Sequence, residues 1–164
     1  MLIFPIQQIL NSKYGGIITG EEKLNIYDCF EYSKIPEFLE DNYCNKCKRC
    51  CLHFNQTIIL YTPNIMIINL SRVNNSIEFN LEEFIDTKKY IIQNECFPTN
   101  YELIGIIYNL KCNGIYKNKY IAFCKNFRNQ KWYKYDDTNI IESSFEEASK
   151  NGIPCILFYS YIQK

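Results

Sequence analysis

The runs Tyr120-Ile-Ala-Phe-Cys-Lys125 and Lys131-Trp-Tyr-Lys-Tyr135 predict two neighbouring β-strands in the second half of the chain. Both runs are rich in aromatic and β-branched residues, and an Asn-containing turn separates them, which is the pattern of an antiparallel hairpin. Leu103–Leu110 before them and Cys155–Tyr161 after them have a similar composition and length. We therefore expect the second half of the chain to form a mainly antiparallel sheet.

The first half of the sequence predicts shorter strands and one or two short helices. Ile3–Ile6 has the composition of a strand. Thr19 followed by Glu22 fits a capping box, in which each side chain satisfies a backbone amide of the first turn, so a helix is expected over about 21–33. Strands and helices in separate regions are typical of the α+β class. Further expectations are strands over 56–61, 65–70 and 77–79, a weak helical pattern over 81–90, and one or two helical turns over 145–151.

Length, charge and hydropathy exclude several classes of protein. The chain has 164 residues and a mass of 19.6 kDa, which fits a single domain. Its 18 basic and 18 acidic residues cancel, so a nucleic-acid-binding surface that is basic throughout is not expected. No apolar run reaches the roughly 18 residues of a membrane helix, and the first residues lack the pattern of a secretory leader. We therefore expect an intracellular protein, cytoplasmic or nuclear, with no membrane or nucleic-acid partner.

Four of the nine cysteines and the only histidine fall in one segment, Cys44-Asn-Lys-Cys47-Lys-Arg-Cys50-Cys51-Leu-His53. An odd number of cysteines without a secretory leader argues against a disulfide framework. A Cys-x-x-Cys pair supplies two of the four ligands of tetrahedral zinc, and Cys50, Cys51 or His53 would have to complete the site. The alternatives are reduced cysteines in a finger-like loop, with His53 packed or exposed, and the start of an iron–sulfur run. A small zinc-binding module is therefore one function that the residues leave open, and zinc is the one cofactor considered.

Motifs from both halves of the chain occur in an ordered series. The second half contains Asn118-Lys119-Tyr120-Ile-Ala-Phe, Trp132-Tyr-Lys-Tyr-Asp136-Asp137 and Ile156-Leu-Phe-Tyr159. The first half contains Ile3-Phe-Pro-Ile6, Tyr43-Cys44-x-x-Cys47 and a strand-like run that ends at Ser71-Arg72. This series resembles the catalytic domain of the ubiquitin-specific proteases, the papain-like deubiquitinases. In that family Gly-His-Tyr-x-Ala-Tyr precedes a Trp-x-x-Phe-Asp-Asp box and a closing Leu-Phe-Tyr strand.

The resemblance implies an α+β, papain-like fold that contains the family's palm and fingers but not its helical thumb. It divides one partial domain, residues 1–164, into fingers and the start of the palm over 1–80 and the remaining palm over 81–164. Ubiquitin or ubiquitinated proteins are the implied partners, and cysteine-type ubiquitin hydrolysis is the family's activity. By position, Lys119 stands at the family's catalytic histidine, Asp136 at its orienting aspartate and Asp137 in its double-Asp pattern.

The departures from the family pattern predict a protein without hydrolytic activity. The family's nucleophilic cysteine lies in an Asn…Cys box on the thumb, upstream of the segments matched here. Its first Cys-x-x-Cys is also upstream, which leaves Cys44 and Cys47 as an orphan zinc half-site. A lysine, with an ordinary pKa near about 10.4, stays protonated where a histidine near about 6.5 would exchange a proton. We therefore expect Lys119 to form an ion pair with Asp136 instead of acting as a base.

Two interpretations follow from these differences. In the first, the chain is a non-catalytic fragment or pseudoenzyme that retains ubiquitin binding. In the second, it is the C-terminal half of a deubiquitinase that a missing N-terminal thumb segment completes. In both, the lysine at position 119 predicts weak or absent turnover, because no histidine occurs anywhere in residues 54–164.

Overall fold

The computed structural model describes residues 1–15, 22–72, 77–92, 97–111 and 118–162, and within them all side chains except those of 38–42, 51–55, 111 and 118. This part of the chain holds twelve strands, three α-helices and a short 3-10 helix, Lys88–Tyr90. The helices are α1 (Ile6–Tyr14), α2 (Ile26–Ser33) and α3 (Phe145–Ser149). The strands are β1 (Leu2–Pro5), β2 (Lys23–Asn25), β3 (Glu37–Cys44), β4 (Arg49–Asn55), β5 (Ile65–Ser71), β6 (Glu78–Asn80), β7 (Phe84–Asp86), β8 (Asn100–Lys111), β9 (Asn118–Lys125), β10 (Trp132–Asp136), β11 (Asn139–Ser143) and β12 (Pro154–Tyr161).

Eight of these strands form one sheet in the order β1-β5-β12-β8-β9-β10-β11, with β7 paired to β8. All its pairs are antiparallel except β1 with β5. The expected strands of the second half are therefore confirmed, and the sheet also takes β1 and β5 from the first half. The pattern did not predict β11, which follows β10 through a two-residue turn at Asp137 and Thr138. Asp137 has a φ of 53°, a left-handed conformation that Asp tolerates better than most residues.

One face of this sheet packs against the helices. Ile6, Ile9 and Leu10 of α1 are buried, and Gly15 ends that helix with a φ of 65°. Helix α1 was not predicted, because its first residue, Ile6, continues the apolar run that fits the preceding strand. The α+β class is confirmed. The core includes Phe4, Ile6, Ile9, Leu10, Leu24, Ile26, Cys29, Phe30, Met66, Ile68, Leu70, Tyr101, Leu103, Ile106, Tyr108, Ile121, Phe123, Trp132, Ala148, Leu157 and Tyr159.

Helix α2 begins later than the pattern indicated. The Asn25 side chain accepts a hydrogen bond from the amide of Asp28, whose carboxylate accepts one from the amide of Asn25. The capping box is therefore Asn25 with Asp28, and Thr19 lies outside the described residues. Residues 23–25 instead form β2, which pairs in parallel with β6. A long-range strand pair thus takes residues whose local pattern suits a helix.

Two further expectations were wrong. The apolar run 56–61 forms no strand; in the described ranges its only ladder contact is a bridge between Ile59 and Ile91. Leu60 and Tyr61 stay exposed, so they gain little burial that would favour an extended pairing. The segment 81–90 holds β7 and the 3-10 helix instead of an α-helix, because β8 offers an open edge to residues 84–86.

The cysteine-rich segment forms a two-stranded hairpin of its own. Strands β3 and β4 pair antiparallel and are separate from the main sheet. A turn at 45–48 joins them, in which the Lys48 amide donates to the Cys44 carbonyl at 2.9 Å and Lys48 has a φ of 58°. The finger-like loop of the sequence analysis is therefore a strand hairpin. No helix in the described part of the chain is long and apolar enough to cross a membrane.

Candidate active site

Lys119 and Asp136 come together at one end of the main sheet. Lys119 is the second residue of β9 and Asp136 the last residue of β10, and these strands are direct neighbours. The pairing of Tyr135 with Ala122 places Asp136 diagonally across from Lys119 on the same face. The Lys119 Nζ lies 2.6 Å from the Asp136 Oδ1, and the side chains are 39% and 25% exposed. The ion pair that the sequence analysis expected is present.

This pair has chemical consequences for the site. An ammonium group offers three N–H donors and no acceptor, so it can hold a carboxylate but cannot take a proton from a thiol. Partial burial also strengthens the pair relative to a fully solvated one, because the local dielectric is lower. The Asp136 carboxylate is therefore in contact with a side chain that offers donors only. Asp137 is exposed and serves as the first residue of the β10–β11 turn.

A cavity of about 200 Å³ lies at the same end of the sheet, between other strands than those of this pair, and sequence reasoning did not predict it. Residues of β5, β8 and β12 line it, among them Asn109 and Cys155, together with Arg72, which directly follows β5. Asn109 pairs with Tyr120 and Leu110 with Lys119 across the β8–β9 ladder, so the Asn109 side chain points to the face opposite that of Lys119. The Asn109 Nδ2 donates to the Tyr120 Oη at 3.5 Å. The cavity and the ion pair thus lie at the same end of the sheet.

Arg72 is the charged group of this cavity. Its Nε donates to the Pro154 carbonyl at 3.2 Å and its Nη1 to the Ile77 carbonyl at 2.8 Å. Burial lowers the pKa of Arg72 to about 10, which still leaves it charged at neutral pH. Its Nη2 and the Asn109 Oδ1 are buried and have no hydrogen-bond partner among the described residues. Such atoms cost free energy until a partner reaches them, so the cavity suits a polar ligand. The only sequence signal was a charged residue directly after an apolar strand.

The thiols near the cavity are poor candidates for a nucleophile. Cys155 lines the cavity, and its Sγ donates to the Ile107 carbonyl at 3.1 Å. Burial raises the pKa of Cys155, and it raises the pKa of Cys124 and Cys29 as well. Because the thiolate is the reactive form, a raised pKa makes each of these thiols less nucleophilic at neutral pH.

The described part of the finger-like hairpin does not assemble a complete metal site. Cys44 is partly exposed at the end of β3, and Cys47 and Cys50 are exposed. Within the described residues no group of three or more Cys, His, Asp or Glu side chains is arranged to hold a metal ion. The side chains of Cys51 and His53 lie outside the described part of the structure. Cys44 and Cys47 therefore offer half of a tetrahedral site, which does not fit a bound zinc ion without further ligands.

Solved structures of similar fold come from the SAGA deubiquitinating module. One, containing Ubp8, Sgf11, Sus1 and Sgf73, superposes with a TM-score of 0.67 at 26% identity and covers 86% of this chain and 35% of that chain. Another, the module bound to monoubiquitin, superposes with a TM-score of 0.65 at 23% identity and covers 99% of this chain and 35% of that one. These matches confirm the papain-like fold of the ubiquitin-specific proteases.

Sequence comparisons agree with the fold. The chain is 26% identical to ubiquitin carboxyl-terminal hydrolase 12 of Saccharomyces cerevisiae, over 94% of this chain and 13% of that protein. It is 26% identical to ubiquitin carboxyl-terminal hydrolase 15 of Rattus norvegicus, over 83% of this chain and 15% of that protein. The chain thus spans a small part of these relatives' length. A model of the ubiquitin carboxyl-terminal hydrolase family matches residues 18–159. The chain belongs to the ubiquitin carboxyl-terminal hydrolase family, as the order of its motifs predicts.

Proposed function

We propose that this chain binds ubiquitin through its palm and its finger-like hairpin and does not hydrolyse ubiquitin conjugates. The observation that carries the proposal is the contact between the Lys119 ammonium and the Asp136 carboxylate at 2.6 Å. By motif order Lys119 stands at the family's proton-transfer position, and this contact supports an ion pair there in place of a base. Loss of the histidine from a comparable triad costs on the order of 10⁶ in kcat.

Ubiquitin as the partner is supported by the fold and by the cavity. The related module was solved with monoubiquitin bound, and it covers nearly the whole of this chain. In the family the ubiquitin tail is threaded beside the palm, and here the cavity at the Lys119 end of the sheet is lined by two residues, Arg72 and Asn109, that hold one donor and one acceptor without partners among the described residues. A bound extended peptide carries both N–H donors and C=O acceptors along its main chain. If the side chains rotate, its carbonyls can accept from the Arg72 Nη2 and its amides can donate to the Asn109 Oδ1.

The second interpretation differs in its partner. A thumb segment that carries the nucleophile would pack beside the palm, supplied by more of the same polypeptide or by a separate chain. Its presence would not restore a base, because position 119 would still hold an ammonium next to Asp136. An intracellular location, cytoplasmic or nuclear, accompanies both interpretations, because ubiquitin and reduced thiols belong to those compartments.

Binding and hydrolysis are tested separately on the same protein. Fluorescently labelled ubiquitin is titrated with the chain, and a ubiquitin–fluorophore conjugate is incubated with it. Saturable binding without fluorophore release supports the proposal. A lack of saturable binding contradicts the ubiquitin-binding part, and release at a rate comparable to an active deubiquitinase contradicts the non-hydrolytic part.

The site of binding is tested by filling the cavity. Ser71 is exposed and lines the cavity, so Ser71→Trp adds a bulky group there without removing a core side chain. We expect ubiquitin binding to weaken at least tenfold. Ile58 is 54% exposed and does not line the cavity, so Ile58→Trp is the matched control and should bind as the parent chain does. Equal affinities for the two variants would place ubiquitin elsewhere.

A further inference from the structure

Arg72 is a cation that the fold buries without an anion beside it. Its side chain is half-buried, and its Nη2 atom is fully buried. None of the ion pairs among the described residues includes Arg72. Lys125 shows the usual arrangement of such a cation, because it is 11% exposed and contacts the carboxylates of Glu83 and Glu102. A buried charge without a counter-charge is unfavourable, so the Arg72 guanidinium lacks a partner that its burial calls for.

The cavity that Arg72 lines contains no acidic side chain. Among the described residues that line it, Arg72 is the only charged one. The sequence also has no acidic residue in 73–76, directly after Arg72, or in 112–117, directly after β8. Burial lowers the pKa of Arg72 to about 10, so the guanidinium keeps its charge at neutral pH. The cavity therefore carries one positive charge, and the ligand that complements it is an anion.

The unpaired atoms of the cavity specify the kind of anion. The Arg72 Nη2 is a donor and the Asn109 Oδ1 is an acceptor, and neither has a hydrogen-bond partner among the described residues. A simple carboxylate ion such as acetate offers acceptors only, so it would leave the Asn109 Oδ1 unpaired. The last residue of a polypeptide offers both groups, because its carboxylate accepts hydrogen bonds and its own amide N–H donates one.

We propose that this cavity holds a free C-terminal carboxylate, and that the chain therefore prefers unconjugated ubiquitin to ubiquitin conjugates. The inference rests on the proposed function, since it takes ubiquitin as the partner. After the side chains rotate, the carboxylate accepts from the Arg72 Nη2, and the amide of the terminal residue donates to the Asn109 Oδ1. In a conjugate the carboxylate has become a neutral amide, which loses the charge-assisted hydrogen bond to the guanidinium.

Titration of the 164-residue chain with three forms of ubiquitin tests the proposal. Each form is labelled at its N-terminus. The first has a free C-terminal carboxylate, the second is amidated at the C-terminus, and the third is joined through its C-terminus to the lysine side chain of a short peptide. Charge-assisted hydrogen bonds are roughly twice as strong as neutral ones, so the free form should bind about tenfold more tightly than either of the others.

Substitution of the cation tests whether Arg72 is the group responsible. Arg72→Gln removes the charge and should abolish the preference for the free carboxylate. Arg128→Gln is the matched control and should keep the full preference, because Arg128 is exposed between β9 and β10 and does not line the cavity. Arg72→Gln also loses hydrogen bonds to the Pro154 and Ile77 carbonyls, so far-UV circular dichroism and cooperative urea unfolding must show that it has kept the fold. The comparison of the three ubiquitin forms on the parent chain needs no variant.

The outcomes separate this inference from the proposed function. Equal affinities of the parent chain for free and amidated ubiquitin would overturn the inference and leave ubiquitin binding intact. A folded Arg72→Gln variant that keeps the preference would also overturn it, because another group would then hold the carboxylate. If none of the three forms binds, the ubiquitin-binding part of the proposed function fails, and the inference fails with it.

Discussion

The coupling between Lys119 and Asp136 can be measured directly and tests the basis of the proposed function. At 2.6 Å, an effective dielectric constant between 80 and 20 gives a gross Coulomb attraction of about 2 to 6 kcal/mol. The side chains are 39% and 25% exposed, so desolvation and side-chain ordering offset most of that attraction. Exposed pairs measure about 0.2–1 kcal/mol, and this half-buried pair should lie at or slightly above the upper limit, at about 1 kcal/mol.

A double-mutant cycle with Lys119→Met and Asp136→Asn isolates this coupling energy. Urea unfolding of the four proteins at neutral pH gives each free energy of unfolding, and the interaction term is the departure from additivity. The contact is far shorter than the Debye length of about 10 Å at 0.1 M salt, so added salt should reduce the coupling only slightly.

The exposed helix pair Lys150–Glu146 is the matched control for this cycle. Its side chains are 71% and 78% exposed, and pairs spaced four residues apart contribute about 0.3–0.5 kcal/mol. A Lys119–Asp136 coupling no larger than the control value would mean that the ammonium spends its time in solvent. That result would remove the main support for the proposed non-hydrolytic function.

Three further predictions concern stability. Burial holds the pKa of Cys29 above its ordinary value of 9.0, so the stability that its neutral thiol contributes is present below about pH 9 and is lost above it, at about 1.4 kcal/mol per pH unit. Cys124 and Cys155 add to this loss, so urea unfolding should show at least that slope, and Cys29→Ala should make it less steep by about the Cys29 share. Asn25→Ala removes the side-chain acceptor that caps α2 and should lower the free energy of unfolding by about 1 kcal/mol. Asn25→Ser retains an acceptor and should lose only a small part of that stability. An equal loss for both variants would contradict the capping role. Gly105→Val places methyl groups against the Phe158 ring and should lower the free energy of unfolding, measured by chemical denaturation, by about 1–3 kcal/mol. Adding Phe158→Ala to this variant should relieve part of that loss. No relief would mean that the clash is with another residue.

The strands of the second half could be predicted because each one is locally marked. The runs in β8, β9, β10 and β12 are long, apolar or aromatic, and bounded by turn residues, so local composition and tertiary pairing favour the same structure. β11 was missed because Asn139-Ile-Ile-Glu-Ser143 is short and follows a turn of only two residues.

The first half was harder to predict because distant partners decide its elements. Residues 23–25 become a strand through β6, and residues 84–86 become one through β8, although both segments had a helical pattern. The opposite holds for 56–61, whose β-branched residues find no ladder beyond a single bridge in the described ranges. Intrinsic propensity is worth only about 1 kcal/mol, which one strand pairing exceeds.

The residues of the candidate site divide in the same way. Lys119 and Asp136 could be named because each falls inside a motif, and their chemistry predicts an ion pair. Arg72 and Asn109 could not, because they are far apart in the chain, with β6 and β7 between them, and the cavity exists only where β5, β12 and β8 lie side by side.

By itself, the amino-acid sequence determined the class of fold, the family, and the presence of a lysine where an imidazole would be needed. Those properties are local, since they depend on residue type and on spacing within a short segment. Only the tertiary structure decided the register of the main sheet, and with it the Lys119–Asp136 contact and the cavity at the same end of the sheet. Register depends on packing between segments that are far apart in the chain, and shifting a strand by one residue would turn all its side chains to the other face.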